Sequence, residues 1–230
     1  MAGPHGSMGG FVILLLFGPP GCGKGTQAAY LAERFHIPAI STGEMFRAEC
    51  KAGTEMGKVA CSMISRGGFV SDDIVNGVVA SRTARPDCAN GFLLDGYPRT
   101  VPQAIWFAEL LRKRNLPEPA VMHLDVADEA LVARLTARRQ CPKCLQIYNA
   151  ISLPPKVHGI CDLDGTPLIT REDDREAVIR QRLRAYDELT GPILKWYGPK
   201  LVRGIDGSNS PAEVRREIEK IAMEAACVMV

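Results

Sequence analysis

The stretch GPPGCGKGT, Gly18 to Thr26, decides the fold. It sits directly between the apolar run FVILLLF (Phe11 to Phe17) and the helical pattern GKGTQAAYLAERF. Glycines let backbone N–H groups turn inward around an anion, and a helix that starts there adds its positive N-terminal end. Gly21, Cys22, Gly23, Lys24, Gly25 and Thr26 form such a cradle, with Lys24 as a mobile cation for the outer phosphates. Pattern and context both match G-x-x-x-x-G-K-[ST], and the strand-loop-helix context speaks against a chance glycine-rich turn. One position departs from the pattern. Gly25 stands where a Ser or Thr usually reaches Mg²⁺, and the hydroxyl follows at Thr26, which points away from GTPases.

Outward from this loop the chain alternates. FLLD (92–95), VMHLDV (121–126), LVRGID (201–206) and the shorter IPAIST (37–42) join FVILLLF as buried strands. Helical patterns separate them: VPQAIWFAELLRKR, EALVARLTARR with Asp128 as N-cap, EAVIRQRLRAYDEL in a helix opened by Asp173 and Asp174, and SPAEVRREIEKIAMEAACV at the end. Such alternation predicts an α/β fold, a parallel sheet with helices on both faces, and ligands at the carboxyl ends of the strands. Two segments break it. Residues 41–70 are helical and polar, and residues 139–171 carry Pro142, Pro154, Pro155, Pro167 and three cysteines, so they read as a small lobe of turns and short antiparallel strands.

With 230 residues, 46% of them apolar, the chain can bury one large α/β core. A net charge of +2 is too balanced for a nucleic-acid surface, so anion binding must come from local clusters. No apolar run approaches the roughly 18–20 residues that span a bilayer. MAGPHGSM (1–8) reads as an expression-tag remnant. Eight cysteines are too few for a disulfide scaffold; Cys22, Cys50, Cys61, Cys88 and Cys227 read as core or chance residues of a reducing compartment.

A second site gathers around STGEMFR (41–47) and FLLDGYPRT (92–100), with Gln103 one helical turn on. Asp95 at the tip of an apolar strand is costly to bury unless it meets a cation, either Mg²⁺ through water or Arg99 in an ion pair. The Arg99 guanidinium can fork onto two phosphate oxygens.

GPPGCGKGTQA, STGEMFR, GFLLDGYPRT and Gln103 together resemble adenylate kinase, in order and spacing, from Phe11 to the C-terminal helix. The resemblance implies a P-loop nucleoside monophosphate kinase fold with a core of residues 11–40, 71–136 and 175–230. It further implies an AMP lobe of 41–70 and a lid of 137–174 over ATP. The implied activity is reversible transfer of the γ-phosphoryl of Mg·ATP to AMP, giving two ADP. The implied AMP site is Thr42, Arg47, Arg99 and Gln103, with backbone contacts at Val70 and Gly96. Arg134, Arg138, Arg171 and Arg182 match arginines that surround the phosphates in this family, Arg134 also stacking on the ATP adenine, with Arg171 and Arg182 reaching AMP. Arg134 and Arg138 are four apart, so they share a helix face and repel unless something anionic faces them. Lys24, Mg²⁺ and the arginines would stabilise the charge of a transfer that otherwise needs only alignment and exclusion of water.

The broken lid segment holds Cys141, Cys144, Cys161 and Asp164 as C-x2-C-x16-C-x2-D. This matches the metal-binding lid of one branch of bacterial-type adenylate kinases. Three thiolates and a carboxylate suit structural Zn²⁺, which would hold together a lobe too small for its own core. His158 competes for the fourth place, iron suits the same ligands, and unligated cysteines are the remaining reading. Leu145 stands where such turns commonly carry Gly. The other functional readings are a kinase for a different monophosphate or donor, and a nucleotide-binding regulator without turnover. A cytoplasmic monomer is expected from the resemblance alone.

Overall fold

The computed structural model describes residues 11–64 and 70–227, with the side chains of Ile64 and Cys227 left aside. The tag remnant 1–8, residues 65–69 of the expected AMP lobe, and the reading of Cys227 as a core residue therefore lie outside the described residues.

In chain order the elements are β1 (Val12–Phe17), α1 (Lys24–Phe35), β2 (Ala39–Ser41), α2 (Thr42–Ala52), α3 (Glu55–Ile64), α4 (Asp72–Thr83), β3 (Gly91–Asp95), α5 (Val101–Lys113) and β4 (Ala120–Asp125). They continue with α6 (Asp128–Thr136), β5 (Arg138–Gln140), β6 (Ile147–Asn149), α7 (Glu176–Ala185), α8 (Gly191–Tyr197), β7 (Val202–Asp206) and α9 (Pro211–Cys227). The main sheet runs β2-β3-β1-β4-β7, every pair parallel, and β5 and β6 form a separate antiparallel pair.

β1 is central and buried on both sides, which is why its sequence is a continuous apolar run rather than an alternating one. Val12, Leu14 and Leu16 pack into one core with Leu31, Leu131, Ile179 and Ile218, so α1, α6, α7 and α9 cover that face. Ile13, Leu15 and Phe17 pack into the other with Phe46, Val79, Phe107 and Ile193, from α2, α4, α5 and α8. In α9 the buried residues Val214, Ile218 and Ala222 recur every four positions, the narrow stripe of a helix laid on a sheet. Truncating a fully buried leucine such as Leu15 to Ala would cost about 3–5 kcal/mol. Among the described residues no helix is long and apolar enough to cross a membrane.

Four local readings are corrected. Asp128 is the first helical residue of α6, not its cap; Ala127 holds the cap position without a side-chain bond. Asp173 and Asp174 lie in a separate short turn, Glu172–Asp174, and α7 begins only at Glu176. Arg138 does not share a helix face with Arg134. The Thr136 hydroxyl bonds back to Val132 O, α6 ends, and Arg138 opens β5. Cys50 and Cys61 are paired as a disulfide between α2 and α3, with Cα atoms 5.5 Å apart. Gly57 makes this approach possible, because a Cβ there would collide with the backbone of Glu49. Cys22 and Cys88 are buried thiols, as read.

Candidate functional site

The phosphate loop follows β1 at the carboxyl edge of the sheet. Gly23 caps α1 in a left-handed conformation (φ 103°) that a side chain would strain. Lys24 curls back, its ammonium donating to Gly18 O at 2.6 Å and Pro19 O at 2.9 Å. At Gly25 a Cβ would meet nothing within 4 Å, so the absent Ser or Thr is not excluded by space.

Asp95 ends β3 beside β1, its register partner being Leu16. Burial pushes its carboxyl up, while the charges of Lys24, Arg99 and Arg47 pull the other way. The Arg99 guanidinium turns back to Gly96 O at 2.7 Å. Burial and the neighbouring Arg182 lower its pKa to about 10. A guanidinium this destabilised by its surroundings is relieved by an anion.

Arg47, Arg138, Arg171 and Arg182 converge on the same edge, each braced by a carboxylate. Arg138 forks onto Asp174, Nε to Oδ2 at 2.8 Å and Nη2 to Oδ1 at 2.5 Å. Arg182 reaches Asp173 Oδ2 at 3.0 Å. Glu44 Oε1 accepts from Arg47 at 2.6 Å and from Arg171 at 2.9 Å, and Arg171 also donates to Gln140 Oε1 at 2.6 Å. Burial, then Arg138 and Arg47, bring Arg171 down to about 10. Burial alone would raise Asp173, yet Arg182, Arg47, Arg138 and Arg171 together hold its carboxyl below the usual range. Arg47 Nε is buried with no hydrogen-bond partner among the described residues, a donor suited to a further oxygen.

Thr42, Gln103 and Val70 are buried near the ends of β2 and β3. Thr42 is buried at the start of α2 and donates to Gly96 O at 3.1 Å. Gln103 is buried in the first turn of α5, where Thr100 accepts from its backbone N–H at 3.2 Å. Its amide Oε1 accepts from Arg99 N at 2.7 Å, and its Nε2 donates to Asp72 at 2.6 Å. Val70 is buried in the same core as Phe46 and Tyr97. Arg134 lies elsewhere, donating to Gly207 O after β7 at 3.1 Å.

In the separate β5–β6 lobe, the ligand atoms of Cys141, Cys144, Cys161 and Asp164 all lie within 4.8 Å of one another. Cys144 and Cys161 sulfurs are 3.5 Å apart, and Cys141 Sγ is 3.4 Å from Asp164 Oδ2. Tetrahedral Zn–S bonds of about 2.3 Å would space such ligands by roughly 3.7 Å, so the set fits a tetrahedral ion. Two matching turns present it. Leu145 N–H bonds Cys141 O and Gly165 N–H bonds Cys161 O, with φ of 65° and 70°. Backbone and side-chain hydrogen bonds from Thr166 hold the Asp164 carboxyl well below its usual range. His158 is exposed and outside the cluster.

The sequence reading missed the acidic counterparts Glu44, Asp173 and Asp174, the brace Gln140, and Asp72. Glu44 had a local signal, three residues before Arg47 on one helix. Asp173 lies nine residues before Arg182, beyond one helical turn, and Asp174, Gln140 and Asp72 meet partners 31 to 36 residues away.

A phosphate loop after the central strand, with buried arginines converging on the same sheet edge, defines a P-loop nucleoside monophosphate kinase. The family profile "Adenylate kinase" matches residues 16–202. The chain is 45% identical over 212 residues to the adenylate kinase of Trichlorobacter lovleyi, covering 92% of this chain and 99% of that one. It is 47% identical over 210 residues to that of Oceanobacillus iheyensis and 46% over 209 to that of Exiguobacterium sibiricum, each covering 90% of this chain and 97% of the relative. The chain belongs to the adenylate kinase family, phosphotransferases that move the γ-phosphoryl of Mg·ATP reversibly onto AMP and give two ADP.

Proposed function

We propose that Lys24 and the loop Gly21–Thr26 hold the ATP phosphates, that Arg138, Arg171 and Arg182 surround the group in flight, and that Arg47 and Arg99 hold the AMP phosphate. The observation that carries this reading is the convergence of buried arginines around Asp95 and Lys24, close enough to shift one another's ionisation. Phosphoryl transfer needs little covalent help: an in-line pair of oxygens, positive charge on the equatorial oxygens, and a dry site. The AMP phosphate is already ionised, so no side chain has to act as base. Asp95 would hold Mg²⁺ through water, and the ion would offset negative charge on the ATP phosphates. Thr42, Gln103 and the backbone of Val70 and Gly96 face the AMP base, and Arg134 stacks on the ATP adenine.

The division into a core of 11–40, 71–136 and 175–230, an AMP lobe of 41–70 and a lid of 137–174 belongs to the same reading. The lobes close to exclude water, because an open site would hydrolyse ATP. Cys141, Cys144, Cys161 and Asp164 hold a structural Zn²⁺ in the lid, where it supplies cohesion and no chemistry. The protein acts as a cytoplasmic monomer on small nucleotides, without nucleic acid or membrane.

The test is coupled ADP production with AMP, CMP, UMP and GMP in parallel. AMP should exceed the others by orders of magnitude. Comparable rates with a second monophosphate would replace the acceptor assignment, and no ADP with any acceptor would overturn the phosphotransfer reading.

A further inference from the structure

Gln103 is one of the few polar side chains buried almost completely, at 2% exposure, and both ends of its amide are already engaged. Its Nε2 donates to Asp72 Oδ1 at 2.6 Å. Its Oε1 accepts from the backbone N–H of Arg99 at 2.7 Å. Asp72 is itself held, since its other oxygen accepts from the Thr100 hydroxyl at 2.9 Å. Thr100 is fixed in turn as the cap of α5. Asp72 opens α4, so the contact ties the start of one helix to the first turn of another.

The chemistry of these partners leaves the amide one orientation. An ionised carboxylate only accepts and a backbone N–H only donates. Turning the amide over would set its oxygen against a carboxylate oxygen and its NH₂ against an N–H. Each end keeps one free valence, a second N–H on Nε2 and a second lone pair on Oε1. Those are what remain for a base.

Purines differ in the same two places. Adenine presents an amino donor at the six-position and an acceptor at N1, whereas guanine presents an acceptor at the six-position and a donor at N1. A fixed amide offering oxygen to the first and N–H to the second suits adenine. A freely turning amide would suit both.

We propose that Asp72 is a specificity-determining positioning residue: by holding Gln103 in one amide orientation it makes the acceptor site reject 6-oxopurine monophosphates. The inference rests on the reading that Gln103 faces the acceptor base. Asp72 touches neither substrate nor phosphate and acts through Gln103. A plain helix-start role would move stability and leave base preference alone.

The experiment compares kcat/KM for AMP, IMP and GMP in the parent, Asp72→Asn and Gln103→Leu, with the KM for ATP as the control. IMP separates the inverted six-position and N1 from the bulk of the guanine 2-amino group. In Asp72→Asn the neighbour can donate as well as accept, so the AMP-to-IMP preference should fall about tenfold, the size expected when a donor–acceptor clash is relieved. The KM for ATP should stay within about twofold. If Gln103→Leu erodes the preference and Asp72→Asn does not, Asp72 is not what sets the orientation, the proposal is overturned and the base reading stands. If Gln103→Leu leaves the preference intact, the base reading fails and the lock with it. Should Asp72→Asn fold poorly, the parent supplies the second measurement, exchange of the Gln103 side-chain amide protons by nuclear magnetic resonance. Exchange slowed well beyond that of exposed glutamines supports the lock. Exchange as fast as theirs overturns it.

Discussion

Lys24 rests its ammonium on the carbonyls of Gly18 and Pro19, so the cation is stored inside the loop it serves. Lys24→Met removes the charge with little change in length. It should leave the fold intact and cut kcat at saturating ATP by a hundredfold or more, because a charge aimed at a developing charge acts on the transition state. Steady-state kinetics decides it, and an unchanged kcat with only a raised KM would contradict the role. Leu145 offers a second test at this scale. It adopts the left-handed backbone (φ 65°) that its counterpart Gly165 adopts without a Cβ, and its side chain is 53% exposed. Leu145→Gly relieves about 1–2 kcal/mol of backbone strain and loses about 0.5–1 to unfolded-state entropy. The lid should gain a few tenths of a kcal/mol or more, seen as slower loss of metal to a chelator. The unusual leucine was visible in the sequence. The arginines were placed by the family resemblance, since their spacing alone reads as a solvated face, and Arg134 lies apart from the rest. Their carboxylate partners were less so: Glu44 has a local signal toward Arg47 only, while Arg138 and Asp174 are separated by 36 residues and Glu44 and Arg171 by 127.

At the scale of elements, apolar runs fixed the strands within a residue or two, while helix ends were read less well. The end of α6 depends on Thr136 and on β5 pairing with β6, a tertiary choice that helical spacing does not contain. The disulfide between α2 and α3 was hidden for the same reason, since it depends on Gly57 seating one helix on the other. The β5–β6 lobe has little core of its own, its buried apolar cluster comprising Cys141, Tyr148 and Cys161 with Leu168 beside them. Purified protein should therefore carry about one equivalent of zinc. Stripping it, or Cys161→Ser, should lower Tm while substantial turnover survives at low temperature. Asp164→Cys should keep the ion and Asp164→Ala should weaken it. Tight retention in Asp164→Ala, measured by elemental analysis after dialysis against chelator, would remove Asp164 from the ligand set.

At the scale of the whole molecule, Glu44 and Asp173 link α2 to the segment before α7 through Arg171 and Arg47, the latter 4.0 Å from Asp173. Arg47 and Arg171 hold the Glu44 carboxyl below its ordinary value, and Arg182, then Arg47, do the same for Asp173 against the effect of burial. A carboxylate with a depressed folded pKa contributes stability that is fully present above its unfolded value, about 3.9 for Asp. That contribution is lost as pH falls through the lower folded value. Asp173→Asn should therefore cost on the order of 3 kcal/mol near pH 7, as expected when one partner of a buried pair is removed. The gap to the parent should narrow as pH falls below the unfolded value and through the lower folded one. Thermal melts across pH 2–8 would show it, and a gap independent of pH would mean that Asp173 acts through packing alone.

The central place of β1 also governs how the chain is made. VILLLF leaves the ribosome before the strands that flank it, which begin only at Gly91 and Ala120. At about 5–20 residues per second, the roughly 75 residues before the first of them take on the order of 4–15 s to appear. Throughout that interval a short, uncharged, proline-free apolar segment has no strand to pair with, the profile of a nucleus for aggregation. The residue run that organises the finished sheet is thus the hazard of its biosynthesis. Yield in a heterologous host should depend on holdase chaperones and growth temperature more than on the stability of the folded enzyme.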